Sequence, residues 1–217
     1  MTAVFQQAAI EAALAGLFPP GVAVAAVPVT ADHSPPDPAE APAVAAAVPA
    51  RRAEFAAGRA AARRAMAALG HPPAAIPMGL DREPLWPAGL EGSIAHAAGV
   101  AVAAVRVGRP IGLDVEEDAP LEPDLWPVIC DPDELARLPG EDRGRLVRQV
   151  FSAKEAAYKA QFPLTRSLFG FDMLVLRLEG GGFTARFRQD VGPLVAGHQM
   201  CGRIAWVQGL ILTGVAV

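Results

Sequence analysis

Hydrophobic positions recur along this chain at helical spacing, then at strand spacing, with prolines punctuating the changes. Val4, Ala8, Ile10, Ala13, Leu14 and Leu17 predict a short helix over residues 4–17, stopped by Pro19-Pro20, and Val22 to Val29 reads as a strand. Residues 30–48 are rich in Pro and Ala, read as mostly irregular and carry no nameable chemistry. Ala50 to Leu69 is built of strong helix formers and ends in Gly70-His71-Pro72-Pro73, a stop signal. Two prolines make Arg82-Glu83-Pro84-Leu85-Trp86-Pro87 a rigid loop rather than a helix. Gly92 to His96 leads into an alternating strand from Gly99 to Val107, with His96 where a strand ends and a turn begins.

After a short apolar strand at Ile111-Gly112-Leu113-Asp114-Val115-Glu116-Glu117, Asp131-Pro132-Asp133-Glu134 has the form of a capping box and predicts a helix to about Leu138. A longer helix is expected over Glu141 to Phe162. The remainder reads as sheet: Phe171 to Leu178, Phe183 to Arg188, and Gly202 to Val217 broken by a turn at Gln208-Gly209. The predicted class is α/β (α+β), in two strand-and-helix halves, 1–108 and 109–217, forming one globular unit with a cleft between them.

Composition narrows the partners. At 217 residues, 52% hydrophobic and 19% charged, the chain can bury a sizeable core and is too apolar for disorder. Its net charge of −4, with no basic run longer than Arg51-Arg52 or Arg63-Arg64, argues against nucleic acid, so any anion must be met locally. Cys130 and Cys201 form no zinc or disulfide pattern, which fits a reducing compartment. No apolar run reaches the roughly 18 residues of a membrane span, and Glu11 interrupts an N-terminus that lacks a basic region. A cytoplasmic protein without membrane contact is expected.

Within the Ile111–Glu117 strand, Asp114 and Glu116 point to one face about 6 to 7 Å apart. They form a half-site for Mg²⁺ carrying a phosphate ester, or else a solvated strand end. On the Ala50–Leu69 helix, Arg52, Arg59 and Arg63 fall at spacings of seven and four, beside Arg51 and Arg64, either as forked phosphate contacts or as a solvated face. His96 alone is more often a structural hydrogen-bonder than a ligand, and Ser93 alone means nothing. Glu155 and Lys159 share a helix face, with Lys154 about 100° round. They make either an ordinary ion pair or a third carboxylate and two cations for a metal-bound diphosphate.

Five stretches, in this order, resemble the Sfp-type 4′-phosphopantetheinyl transferases, especially the branch of the enterobactin-synthetase D component and its actinobacterial relatives. They are Arg51-Arg52-Ala53-Glu54-Phe55-Ala56-Ala57-Gly58-Arg59, Arg82 to Pro87, Gly92-Ser93-Ile94-Ala95-His96, Gly112-Leu113-Asp114-Val115-Glu116, and Phe151-Ser152-Ala153-Lys154-Glu155 through Lys159. The resemblance covers about residues 45 to 217. It implies a pseudo-two-fold fold of two similar halves with coenzyme A and Mg²⁺, replaceable by Mn²⁺, in the cleft between them. The implied reaction moves 4′-phosphopantetheine to a serine of an apo acyl or peptidyl carrier protein, releasing adenosine 3′,5′-bisphosphate, and a monomer is expected. The alternatives are another CoA-dependent transferase, such as an acyltransferase, or a non-catalytic CoA or carrier-binding module.

By the matching positions, the resemblance makes Asp114, Glu116 and Glu155 the metal ligands. Arg51, Arg59 and His96 would meet CoA phosphates. Ser93 would belong to the same CoA-binding set, Arg82, Glu83 and Pro84 would line the adenine side, and Lys154 and Lys159 would face the diphosphate. Glu155 and Lys159 would be catalytic, with Glu155 the first choice of general base and a metal-bound hydroxide the second. The set suits a substrate whose phosphate charge must be neutralised from several sides. Ala95 departs from many relatives, which carry Ser or Thr before the histidine. Arg137, Arg143, Arg145, Arg148, Lys154, Lys159 and Arg166, against Glu134, Glu141, Asp142 and Glu155, make a local positive excess that, with apolar help from Phe162, Leu168 or Phe169, either docks an acidic carrier protein or merely solvates a helix.

Overall fold

The computed structural model describes residues 6–30 and 37–217. It is a mixed α+β fold. Its helices are α1 (Gln7–Ala15), α2 (Pro49–Ala68), α3 (Trp126–Ile129), α4 (Pro132–Arg137) and α5 (Arg143–Thr165). Its strands are β1 (Ala23–Pro28), β2 (Leu90–Ala97), β3 (Val100–Val107), β4 (Ile111–Glu117), β5 (Leu174–Glu179), β6 (Gly182–Phe187), β7 (Gln199–Val207) and β8 (Leu210–Ala216). They form a three-stranded sheet, β1-β3-β2, and a five-stranded sheet, β4-β8-β7-β6-β5, antiparallel throughout.

Alternation along the strands builds four layers. On β3, Ala101, Ala103 and Val105 pack with Ala57, Ala61 and Ala65 of α2, while Val100, Val102 and Ala104 pack with Ile111, Leu113, Val115 and Leu212 of the other sheet. Both faces are covered, so β3 reads as an unbroken apolar run. On β4 the odd residues join that shared core, leaving Gly112, Asp114 and Glu116 to face α5. A side chain at Gly112 would overlap the carbonyl oxygen of Ala156. This contact, with Ala153, Ala156, Ala157 and Ala160 all buried, seats α5 directly on the strand that carries the acidic pair.

Most boundaries fall where the residues place them, including the capping box of α4, in which Asp131 and Glu134 each accept the other's backbone N–H. Val4 of the expected first helix, and residues 31–36 of the expected irregular stretch, lie outside the described residues. Two differences have local causes. Helix α5 does not stop at Phe162 but takes Pro163 into its last turn and ends at Arg166, which is left-handed with φ 53°. A proline so near the C-terminus forfeits only its own hydrogen bond. Phe171–Met173 is a 3₁₀ turn, so the strand expected from Phe171 begins at Leu174.

Candidate active site

Asp114 is 5% exposed, yet both of its oxygens are engaged. Ser152 Oγ donates to Oδ2 at 2.8 Å and Lys159 Nζ to Oδ1 at 2.6 Å. Two residues on, Glu116 accepts from Arg148 at 2.8 Å. Helical spacing brings Ser152, Glu155 and Lys159 to the face of α5 that overlies β4. Burial, helped by the charge of Asp114, raises the carboxyl pKa of both Glu116 and Glu155 above the ordinary range, against the cations nearby. For Lys159, burial opposes the charge, but Asp114, Glu155 and Glu116 together outweigh it and raise its pKa.

Among the described residues no three His, Cys, Asp or Glu side chains enclose an ion as they stand. Lys159 holds Asp114 and Arg148 holds Glu116 instead. The donor set still fits a hard divalent cation. It offers oxygen ligands only, and two of them, Asp114 and Glu116, already accept cationic side chains.

That cleft, about 480 Å³, lies between the 81–86 loop with β2 on one side and α5 on the other. Arg82, Glu83, Pro84, Ser93, Glu155 and Lys159 line it, so six of the expected residues are brought together. Trp86, Tyr158, Phe162 and Arg166 also line it, and sequence reasoning assigned none of them to the pocket. Trp86 fits because a side chain at Gly92 would come within 2.5 Å of its indole ring. Arg166 lies 4.6 Å over the Phe162 ring and pairs with Glu83, bridging the cleft from α5 to the loop. Aromatic walls under charged rims suit a flat heterocycle bearing phosphates.

Arg51 and His96 sit beside this site. Arg51, half exposed, donates to His96 Nε2 at 2.7 Å and lies 3.3 Å from Glu54. A guanidinium can only donate, so Nε2 accepts. Burial, with the neighbouring Arg51 and Lys159, lowers the His96 pKa despite Glu54.

In four places the structure engages the expected side chains with the chain itself. Arg52, Arg59 and Arg63 are held within the chain, Arg59 and Arg63 side by side against Ile76 and the Glu40 that binds its amide. They donate respectively to Ala47 O, Ile76 O and Glu40, and Arg59 is 6% exposed with its guanidinium 4.2 Å over the Phe55 ring. Burial drops the Arg59 pKa to about 10. Lys154 does not line the cleft. It is 1% exposed, and its ammonium donates to Ile129 O, Glu134 Oε2 and Phe171 O at 2.7, 2.8 and 3.1 Å, because the helix turns it away from Glu155 into the C-terminal core. The Ser93 hydroxyl is spent joining the two sheets, accepting from Leu113 N at 3.0 Å and donating to Leu113 O at 3.3 Å. Arg145 and Arg148 are not free for docking. They bind Asp118 and Glu116, together with the backbone oxygens of Asp118 and Ala119.

Reasoning from sequence also missed Ser152, Thr213 and Glu40. Glu40 is fully buried and binds Arg63 and the Ile76 amide, within a stretch that had suggested no chemistry. Its only signal was an acidic residue set among Ala and Pro.

Comparison with known proteins agrees with this geometry. The family model described as "4'-phosphopantetheinyl transferase N-terminal domain" matches residues 39–106, and "4'-phosphopantetheinyl transferase superfamily" matches residues 110–200. The chain is 38% identical to the 4'-phosphopantetheinyl transferase Svp of Streptomyces mobaraensis, over 83% of this chain and 78% of Svp. It is 37% identical to the 4'-phosphopantetheinyl transferase PptT of Mycobacterium tuberculosis, over 84% of this chain and 86% of PptT. Enterobactin synthase component D of Salmonella typhi is 40% identical over 56% of this chain and 53% of that protein.

Proposed function

The chain belongs to the 4′-phosphopantetheinyl transferase superfamily and is an enzyme of that transfer, and we propose that its cleft moves 4′-phosphopantetheine from coenzyme A to a serine of an apo acyl or peptidyl carrier protein. The observation that carries this reading is that Glu155 and Lys159 line an aromatic-walled cleft while Lys159 pairs with the buried Asp114 behind it. Arg82, Glu83 and Pro84 take the adenine end. Arg51 and His96 meet phosphate oxygens, and Lys159 neutralises the diphosphate.

Asp114, Glu116 and Glu155 would hold Mg²⁺ or Mn²⁺, which when bound supplies charge neutralisation on the diphosphate. The serine oxygen attacks the phosphorus next to pantetheine. A new O–P bond forms, the bond to the bridging oxygen breaks, and adenosine 3′,5′-bisphosphate leaves with the electron pair. Glu155 takes the serine proton. No donor among the described residues holds its carboxylate, and burial with the charge of Asp114 raises its pKa, which strengthens it as a proton acceptor.

No helix among the described residues is long and apolar enough to cross a membrane. A cytoplasmic monomer acting without nucleic acid completes the reading.

Incubating the protein with coenzyme A, Mg²⁺ and a panel of apo carrier proteins should give the phosphopantetheine adduct by intact mass, with release of adenosine 3′,5′-bisphosphate. Acyl transfer from acyl-CoA without any adduct would overturn it in favour of an acyltransferase.

A further inference from the structure

Two buried hydroxyls stand beside Asp114, outside the lining of the cleft. Ser152 and Thr213 are both 0% exposed, Ser152 on α5 one turn before Glu155, Thr213 on β8 in register with Asp114. Ser152 Oγ is 2.8 Å from Asp114 Oδ2 and 2.9 Å from Thr213 Oγ1, and Thr213 Oγ1 is 2.9 Å from Ser152 O. Two hydroxyl protons must serve these three contacts. An ionised carboxylate only accepts, so Ser152 spends its single proton on Asp114. Thr213 has one proton for two acceptors, the Ser152 carbonyl, to which it donates at 2.9 Å, and Ser152 Oγ. It holds Ser152 in place, while Ser152 alone donates to Asp114.

A serine inside a helix commonly returns its proton to the carbonyl a turn earlier. Ser152 instead points across to another element. We infer that Ser152, backed by Thr213, is a positioning residue that fixes the rotamer of Asp114 and thereby aims Oδ1 at Lys159, which lines the cleft. The two partners of Asp114 differ in mobility. Ser152 sits in closed packing, whereas Lys159 is a long side chain still 27% exposed, free to yield Oδ1 to an incoming cation. Because Ser152 and Glu155 ride the same helix turn, this bond also ties the distance between β4 and Glu155 to one hydroxyl. The inference rests on the reading of Asp114 as a metal ligand.

The test is an electron paramagnetic resonance titration of Mn²⁺ into the full-length protein with coenzyme A present, for wild type, Ser152→Ala, Thr213→Val and Asp114→Asn. Outer partners of metal ligands typically contribute about 10- to 100-fold in affinity. Ser152→Ala should therefore weaken Mn²⁺ binding by about that factor, and Thr213→Val should do so less. The Mn²⁺ concentration for half-maximal transfer should shift by the same factor while the KM for coenzyme A at saturating Mn²⁺ stays put, which general loosening of the fold would not produce. If Ser152→Ala does not fold, the isosteric Thr213→Val decides. Wild-type Mn²⁺ affinity in the hydroxyl variants, with affinity lost in Asp114→Asn, overturns the positioning role alone. Wild-type affinity in Asp114→Asn overturns the metal reading and the positioning role with it.

Discussion

The ammonium of Lys159 rests 2.6 Å from Oδ1 of Asp114, a cation supplied by the chain itself at the acidic end of the cleft. Without it, Asp114 keeps only a neutral hydroxyl donor and its buried charge is poorly compensated. Lys159→Met should lower kcat/KM by about 10²- to 10³-fold, the usual loss when one preorganised charge partner of a transition state is removed. It should also lower Tm in chelator-treated protein, and added Mg²⁺ should restore Tm more than it raises that of the wild type, since binding to the folded state alone stabilises it. Equal Mg²⁺ effects on both proteins, by differential scanning fluorimetry, would separate Lys159 from the cation site.

Glu155 connects catalysis to pH. Burial and the charge of Asp114 raise its pKa in the folded state, so the folded protein binds this proton more readily than the unfolded chain does. Stability therefore falls as pH rises from the ordinary glutamate value through the raised one, and the loss persists at neutral pH. Glu155→Gln should abolish most transfer while increasing Tm at pH 7 by a few degrees, with no gain at pH 4, where the wild-type carboxyl is protonated. The acidic limb of the wild-type rate profile should titrate above the ordinary glutamate range and vanish from any residual activity of the variant. A variant less stable than wild type at pH 7 would mean that the carboxylate is favourably held.

Arg51 and Arg59, eight positions apart on one helix, should behave differently. Arg51 is half exposed beside His96, so Arg51→Ala should weaken coenzyme A binding with little change in Tm. A greater loss for coenzyme A than for its 3′-dephospho form, by calorimetry, would place Arg51 on the 3′-phosphate. Arg59→Ala removes a buried guanidinium from the Phe55 ring and leaves Ile76 O without its donor. Stranding that acceptor costs about 1 to 3 kcal/mol, so urea denaturation should report the change. A selective effect of Arg59→Ala on coenzyme A at unchanged stability would return Arg59 to the binding site.

The arginines show where sequence reasoning stops. Much that is local was legible: the stop at Gly70, the Asp131–Glu134 capping box, the turn at Gln208-Gly209, and the alternation that turns Asp114 and Glu116 to one face. What each long side chain meets was not legible, because the partner comes from a distant element. Periodicity places Arg59 and Arg63 on neighbouring turns, but whether they reach a ligand depends on Glu40 and Ile76, which arrive from outside the helix. Asp114 could be read as a carboxylate facing α5, whereas the hydroxyls that aim it come from residues 38 and 99 positions further on.

Lys154 and Glu155 are adjacent in sequence, and the structure separates their roles completely. Lys154 is tied to Glu134, whose second oxygen accepts from Leu176 N at 2.6 Å, so one buried ion pair joins α5, α4 and β5. All three ammonium protons have acceptors. Breaking such a pair from one side leaves an uncompensated buried charge and costs about 3 to 5 kcal/mol, whereas replacing both partners by apolar residues of similar volume can be nearly neutral. Lys154→Met and Glu134→Leu should each lower the urea midpoint sharply, and the double variant should lie well above the sum of the two losses. Its remaining deficit should reflect the capping and Leu176 bonds that Glu134 also makes. In the folded fraction of Lys154→Met the KM for coenzyme A should be unchanged. A rise in that KM with stability intact would show instead that the ammonium leaves the core to reach the diphosphate.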